Sequence, residues 1–171
     1  MRGLIVAHDS RGGIGMNGGL LWGDREQQED MRNFMRVTKG QSVIMGSGTY
    51  DSLPDGFRPL PDRQNIMMSR GREAMKGVLR ANSLGDAFSQ ADHDAWVIGG
   101  AQIYELARPT VNRAIVTEID ASIRGADTFI KKFSDDDEWE AHGDPIRFEA
   151  DNRNRFGGSI VTYIRRNLIE E

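Results

Sequence analysis

Residues 95–107 read AWVIGGAQIYELA, and this stretch decides the fold class. Ala95 to Ile98 is a short apolar run, which is typical of a buried strand rather than a helix because it is too short. Gly99 and Gly100 follow, and Gln102 to Ala107 then has the composition of a helix. A strand that passes through glycines into a helix favours an α/β fold.

Strands and helices alternate in the same way along the chain on both sides of this stretch. The sequence predicts further strands at 3–7, 42–45, 64–69, 114–119 and 159–164, and further helices at 25–37 and 84–91. Such alternation implies right-handed crossovers and parallel pairing. After Arg113 a long polar segment joins the strands instead, which predicts an antiparallel C-terminal edge. Because no repeat or linker divides the chain, we expect a single domain over 1–171.

The composition argues against several functional classes. The chain has 171 residues, a net charge of −4 and no cysteine, and its Lys and Arg residues form no dense cluster, so we expect no nucleic-acid partner. His8, His93 and His142 lie too far apart to suggest a metal motif. No apolar run approaches the roughly 20 residues of a membrane-spanning helix. Only a few apolar residues precede His8, so we expect no signal peptide and a cytoplasmic protein. We also expect a monomer.

Gly13, Gly15 and Gly18 match the dinucleotide-binding pattern G-x-G-x-x-G after the first strand. Taken alone, the pattern suggests a Rossmann domain. However, residues 20–22 (LLW) still intervene before any helix, and the second strand ends at 45–47 (MGS) without an acid for a ribose. We therefore interpret the glycines as a mobile loop, since glycine tolerates positive φ. The apolar residues that make this loop a lid are Ile14, Met16, Leu20, Leu21 and Trp22.

The next predicted helix places a carboxylate beside an aromatic ring. Met31, Phe34 and Met35 fall at i, i+3 and i+4, which predicts an inward-facing stripe. Asp30 lies one turn before Phe34, on the same face. A partly buried acid resists ionisation unless a partner stabilises its charge, which makes Asp30 a candidate functional residue. The alternative is a boundary residue that points to solvent or caps the helix, although Asp24 is better placed as the N-cap.

Several short motifs are spaced along the chain. They are IGMN at 14–17 with LLW at 20–22, Asp30 with Phe34, VIMG at 43–46 with Thr49, Tyr50 and Ser52, RPLP at 58–61 with Arg63, NIMMS at 65–69, WVIGGAQIY at 96–104, and TEID at 117–120 with Asp127 and Phe129. In this order they resemble the motifs of the dihydrofolate reductase family. The resemblance implies a three-layer α/β fold with a mostly parallel central sheet, flanking helices and an antiparallel C-terminal edge. It also implies the reduction of 7,8-dihydrofolate to 5,6,7,8-tetrahydrofolate in one-carbon metabolism.

The resemblance also implies roles for residues that would bind dihydrofolate. Asp30 would accept hydrogen bonds from the pterin edge and promote protonation of N5. Thr117 would bridge the Asp30 carboxylate and the pterin through its hydroxyl, and Arg63 would pair with the α-carboxylate of the substrate. The implied catalytic residues are Asp30, Trp22 and Thr117. The implied substrate-binding residues are Ile5, Ala7, Asp30, Phe34, Leu53, Leu60, Arg63, Ile98 and Thr117.

The implied cofactor is NADPH, with NADH as the alternative. Gly99 and Gly100 let backbone N–H groups approach a pyrophosphate, and in the family the peptide bond between them is cis. Thr49 would add hydroxyl contacts from the start of another helix. The implied cofactor-binding residues are Ala7, Ile14, Gly46, Thr49, Ser69, Arg70, Gly99, Gly100, Ala101, Gln102, Ile103 and Tyr104.

The chain departs from the family pattern at the lid, the substrate tail and the cofactor phosphate. The family usually has proline at 21, a basic residue at 35, a basic pair at 47–48 and often arginine at 102, where this chain has Leu21, Met35, Ser47, Gly48 and Gln102. Arg70, helped by Arg72, is the remaining candidate for contact with a 2′-phosphate. Preference for NADPH over NADH is therefore expected to be reduced.

Two alternatives to folate reduction stay open. A reductase on the same fold acts on a ribosylaminopyrimidine of riboflavin synthesis, but Asp30 beside Phe34 and the later Arg63 favour folate, because that substrate has no tail carboxylate. The other alternative is a non-catalytic folate- or nucleotide-binding module. In the folate interpretation, antifolates of the 2,4-diaminopyrimidine class bind through Asp30.

Overall fold

The computed structural model describes residues 1–73 and 75–166. Its strands are β1 (Arg2–His8), β2 (Gly13–Gly15), β3 (Ser42–Gly46), β4 (Gln64–Met68), β5 (Val78–Ala81), β6 (Ala95–Gly99), β7 (Arg113–Ile119), β8 (Thr128–Phe129), β9 (Trp139–Ala141), β10 (Ile146–Phe148) and β11 (Gly158–Arg165). Its helices are α1 (Gln28–Thr38), α2 (Ser47–Ser52), α3 (Leu84–Gln90) and α4 (Ala101–Ala107), with 3₁₀ turns at Asp55–Phe57 and Phe133–Asp135. Across these described residues, no helix is long and apolar enough to cross a bilayer.

The backbone packs into two compact units, and the first comprises Met1–Leu4 and Met35–Val111. Its strands lie in the order β1, β6, β3, β4, β5, and all of these pairs are parallel. Val43 at the centre lies opposite Trp96 on one side and Asn65 on the other. Val43, Ile44 and Met45 are all fully buried, as expected of a parallel strand covered on both faces.

The second unit comprises Ile5–Phe34 and Asn112–Glu171. Here β11 pairs antiparallel with β7, β9 and β10, and a separate two-stranded sheet joins β2 to β8. Phe133 packs edge-on against Trp139, with ring centroids 4.9 Å apart, and both rings are buried. The α/β fold with a mostly parallel sheet and an antiparallel C-terminal edge is therefore confirmed, whereas the single domain stays a prediction.

The first helix begins later than the sequence predicts. Residues 23–26 form a turn, because the Glu26 N–H donates to the Gly23 carbonyl oxygen at 3.1 Å and the Gly23 N–H donates to Glu26 Oε2 at 2.8 Å. Helix α1 consequently starts at Gln28. The prediction that Asp24 is the N-cap is therefore wrong.

The glycine-rich segment does not form a dinucleotide-binding turn. Gly13–Gly15 is strand β2, paired antiparallel with β8, so the Rossmann alternative is wrong, and so is a loop at these three residues. A Cβ atom at Gly13 would lie 3.0 Å from Asp9 Oδ1, and one at Gly15 would lie 3.2 Å from the Gly19 carbonyl oxygen. At Gly13 and Gly15 the absence of a side chain therefore lets neighbouring atoms lie close to the backbone. Gly18, in contrast, has the expected positive φ of 78°.

Candidate active site

Asp30 and Thr117 form a hydrogen-bonded pair in the second unit. The Thr117 hydroxyl on β7 donates to Asp30 Oδ1 on α1 at 2.7 Å, although 87 residues separate the two in sequence. Thr117 is buried, and Asp30 keeps some exposed surface. The structure thus brings together two residues to which the family resemblance assigns roles, while the roles themselves stay predictions.

The environment of Asp30 changes its acidity. Burial raises the pKa of the Asp30 carboxyl to about 6, although the hydrogen bond from the Thr117 hydroxyl lowers it in part. Desolvation disfavours the charged form, and no cation offsets it among the influences on this carboxyl. A carboxyl that exchanges its proton near neutral pH is suited to general acid–base chemistry.

The inward face of α1 differs from the predicted stripe. Met31 and Met35 are 47% and 49% exposed, so the prediction that they face inward is wrong. From Asp30 to the end of the helix, the less exposed positions are instead 30, 33, 34, 37 and 38, which follow helical spacing. Asn33 and Thr38 are buried polar residues on this face, and an apolar pattern cannot reveal them. Asp30 and Phe34 nevertheless share a face, as predicted.

Within the second unit, Asp127 is hydrogen-bonded to the segment that is predicted to form the lid. Its Oδ2 accepts a hydrogen bond from the Asn17 N–H at 2.9 Å, and this bond holds the pKa of Asp127 below its usual value. Leu21 is buried and Leu20 is 55% exposed, so only one of the two leucines acts as an anchor. The remaining site residues predicted in this unit are one buried residue, Ile5, and four half-buried residues, Ala7, Ile14, Trp22 and Phe34.

The predicted cofactor residues of the first unit converge around the two glycines. The Gly99–Gly100 peptide bond is cis, and Gly99 has a φ of +128°. A Cβ atom at Gly99 would lie 3.3 Å from Thr49 Oγ1 and 3.4 Å from the Tyr104 hydroxyl oxygen. A Cβ atom at Gly46 would lie 3.2 Å from Ile103 Cγ1. Residues from α2, β3, β6 and α4 therefore approach one another closely at Gly46 and Gly99, where a side chain would be crowded.

Arg63 is held in place by hydrogen bonds within the first unit. Its Nε donates to Thr38 Oγ1 at 3.0 Å and its Nη1 donates to the Pro61 carbonyl oxygen at 3.0 Å. Burial lowers the pKa of Arg63, while Asp62 raises it, and an arginine so placed stays charged at neutral pH. The apolar residues predicted in this unit are Leu60, which is buried, and Leu53 and Ile98, which are half-buried.

A protein-family model described as dihydrofolate reductase matches residues 1–165. The chain belongs to the dihydrofolate reductase family. The dihydrofolate reductase of Mycobacterium leprae is 41% identical over 140 residues, which are 80% of this chain and 83% of that protein. The dihydrofolate reductase of Mycobacterium tuberculosis H37Rv is 40% identical over 124 residues, which are 72% and 74% of the two chains. The type 3 dihydrofolate reductase of Salmonella typhimurium is 36% identical over 166 residues, which are 95% and 96%.

In the first unit, the basic residues after β4 have different neighbours. Arg72 Nη1 lies 2.8 Å from Asp51 Oδ1, so its charge is paired, and its N–H donates to Ser69 Oγ at 3.2 Å. Arg70 is exposed and forms no ion pair among residues 1–73 and 75–166. Gln102 is also exposed. Arg70 is thus better available to an anionic ligand than Arg72.

Glu26, the other acid near the start of α1, is not suited to proton transfer at neutral pH. Its carboxylate accepts a hydrogen bond from the Gly23 N–H at 2.8 Å and lies 3.4 Å from Arg155 Nη1. The Gly23 hydrogen bond holds the pKa of Glu26 below its usual value, and Arg155 adds to this effect. Asp30 is therefore the acid of the two whose pKa approaches neutrality.

Sequence reasoning missed Asp9, which organises the base of the lid. Asp9 is fully buried, and its carboxylate accepts hydrogen bonds from the N–H groups of Gly13 at 2.8 Å, Arg11 at 2.9 Å and Ile123 at 2.9 Å. Burial by itself raises the pKa of Asp9, but the three backbone donors together bring it below the usual value. Two of these donors are local, so an Asp followed by glycine-rich chain was the available signal.

Proposed function

We propose that this protein reduces 7,8-dihydrofolate to 5,6,7,8-tetrahydrofolate with a nicotinamide cofactor. The observation that carries the proposal is the Asp30–Thr117 pair, at 2.7 Å, in a chain of the dihydrofolate reductase family. The pterin edge presents an amino group beside a ring N–H. A carboxylate accepts both in a bidentate, charge-assisted arrangement, which fixes the orientation of the ring.

The reaction adds a hydride to pterin C6 and a proton to N5. A reduced nicotinamide supplies the hydride when it is bound. Asp30, with its pKa raised to about 6, promotes the arrival of the proton at N5, directly by its charge or through an ordered water. Thr117 holds the carboxylate in place, and the lid that contains Trp22 excludes water. Orientation and water exclusion supply much of the acceleration.

The tail of the substrate supports folate over the ribosylaminopyrimidine alternative. Arg63 is positioned by Thr38 and Pro61, so its guanidinium can form a charge-assisted pair with the α-carboxylate at little additional entropic cost. The ribosylaminopyrimidine has no such carboxylate. Met35 adds no charge for a longer tail, so Arg63 is the principal clamp.

The residues around Gly99 and Gly100 fit the cofactor that the family implies. A Cβ atom at Gly99 would lie 3.3 Å from Thr49 Oγ1, so glycine lets the backbone lie close to this hydroxyl, which can donate to a cofactor phosphate. We propose NADPH as the preferred cofactor, with Arg70 pairing the 2′-phosphate. Because Arg72 is paired with Asp51, the preference over NADH is smaller than a full basic set would give.

One assay separates the three candidate functions. Purified protein and NADPH are mixed with either dihydrofolate or the ribosylaminopyrimidine, and loss of nicotinamide absorbance is followed. We expect the nicotinamide absorbance to fall rapidly when dihydrofolate is the added substrate and not when the ribosylaminopyrimidine is. Turnover of the ribosylaminopyrimidine alone would assign the protein to riboflavin synthesis. Binding of both ligands by calorimetry without turnover would make it a non-catalytic binding module.

A further inference from the structure

We infer that the loop of residues 151–156 clamps the first turn of α1 through the buried side chain of Asn154, and that this makes Asn154 a positioning residue for Asp30. The inference rests on the proposed function, because Asp30 is the residue that it positions. Asn154 is 125 residues from its helix partner in sequence, so the cap comes from a distant loop rather than from the residues just before α1.

The first turn of α1 takes its capping groups from this loop. Asn154 Oδ1 accepts a hydrogen bond from the Glu29 N–H at 3.0 Å, and the Arg153 carbonyl oxygen accepts one from the Gln28 N–H at 3.0 Å. The first N–H groups of a helix have no partner inside it, so an external acceptor fixes the helix end. Glu29 immediately precedes Asp30, and the cap therefore acts one residue from the proposed acid.

A second buried amide side chain, that of Gln27, strengthens the attachment of the 151–156 loop to the start of α1. Gln27 Nε2 donates to the Phe156 carbonyl oxygen at 3.1 Å, and Gln27 Oε1 accepts from the Phe156 N–H at 2.7 Å. Gln27 is 3% exposed and Asn154 is 2% exposed. Buried amides that lose their partners are costly, so both side chains keep the loop and the helix in one register.

The loop also fixes which atom of Asn154 faces the helix. Asp151 Oδ1 accepts hydrogen bonds from the Asn154 N–H at 2.8 Å, from Asn154 Nδ2 at 3.2 Å and from the Arg153 N–H at 2.8 Å. Because Nδ2 is engaged by a carboxylate, Oδ1 is left for Glu29. The acceptor is therefore preorganised before the helix is capped.

The cap and Thr117 constrain the same short segment in different ways. Thr117 holds the Asp30 carboxylate, and Asn154 holds the backbone that carries it. A catalytic group displaced by ~1 Å can lose about 100-fold in rate, so a helix end that frays by part of a turn is sufficient to impair turnover.

The test compares Asn154→Ala with wild type at a temperature well below the unfolding transition of either protein. We expect kcat to fall by up to about 100-fold, the KM for dihydrofolate to rise about tenfold, which corresponds to ~1.4 kcal/mol, and the inflection of the pH–rate profile near 6 to move. The KM for NADPH should stay unchanged. Gln28→Ala is the matched control, because it alters the same turn but its side chain makes only a long hydrogen bond of 3.4 Å to the Arg25 carbonyl oxygen.

A milder variant, Asn154→Ser, withdraws the acceptor from Glu29 and should change the same three quantities. The inference is overturned if both variants fold but keep the wild-type kcat, KM for dihydrofolate and pH profile, or if the KM for NADPH rises in parallel. It is also overturned if neither variant folds, because Asn154 then serves folding rather than positioning. Wild-type protein that does not reduce dihydrofolate would remove the proposed function itself, and the inference with it.

Discussion

Replacement of Asp30 by asparagine should stabilise the protein at neutral pH while it abolishes most of the activity. Burial raises the folded-state pKa of Asp30 to about 6 from its usual value of 3.8. A raised carboxyl pKa gives stability that is fully present below pH ~4 and is lost as the pH rises through the folded-state pKa. Two units of pKa correspond to about 3 kcal/mol, and since Asp30 keeps some exposed surface, a gain of about 1–3 kcal/mol is expected at pH 7.5.

Urea unfolding followed by tryptophan fluorescence measures this gain. The Asp30→Asn variant should have a higher midpoint than wild type at pH 7.5 with the same slope, since the surface exposed on unfolding does not change. The difference should shrink as the pH falls from 6.5 to 4.5. A variant less stable than wild type at pH 7.5, or a gain independent of pH, would refute the assignment of a desolvated carboxyl to Asp30.

Three further results are expected. Thr117→Val removes the hydroxyl that donates to Asp30, so the pH–rate inflection should move upward, and an unchanged inflection would show that this bond does not tune the acid. A 2,4-diaminopyrimidine should bind Asp30→Asn at least tenfold more weakly by calorimetry, since a charge-assisted pair contributes roughly 1.5–3 kcal/mol; equal affinity contradicts the pocket. Arg70→Ala should lower the ratio of kcat/KM for NADPH to kcat/KM for NADH, while turnover with NADH is unchanged. An unaltered ratio would show that another residue contacts the 2′-phosphate.

Much of the sheet could be predicted because its signals are local. The strands β3, β4 and β6 are short apolar runs bounded by polar residues or glycine, and each predicted strand lies within one residue of the observed ends. A parallel strand that is buried on both faces is a continuous apolar run, so it can be predicted even when its neighbouring strands are unknown. The short strand β5 was missed because only two of its four residues are buried.

In the site, too, the residues that could be predicted depend on local spacing, and those that could not depend on distant contacts. Asp30 and Phe34 could be placed on one face because helical spacing is a local property. Asn154, in contrast, acts on Glu29 from 125 residues away, and nothing in a polar loop marks it as a helix cap. The start of α1 was placed too early for the same reason, since the cap was sought in the preceding residues.

The role of Asp30 in proton delivery can be measured in the pH dependence of hydride transfer in a single turnover. Saturating NADPH and dihydrofolate are mixed with wild type and with Asp30→Asn, and the rate of nicotinamide oxidation is measured from pH 5 to pH 9. The rate in wild type should fall as the pH rises through about 6, where the Asp30 carboxyl loses the proton that it can pass towards N5 through an ordered water. A rate that rises through the same range would show instead that Asp30 acts by its charge. The variant should be much slower at neutral pH and show no inflection there, because its proton comes from solvent. A variant that keeps the wild-type rate and inflection would contradict the role of Asp30.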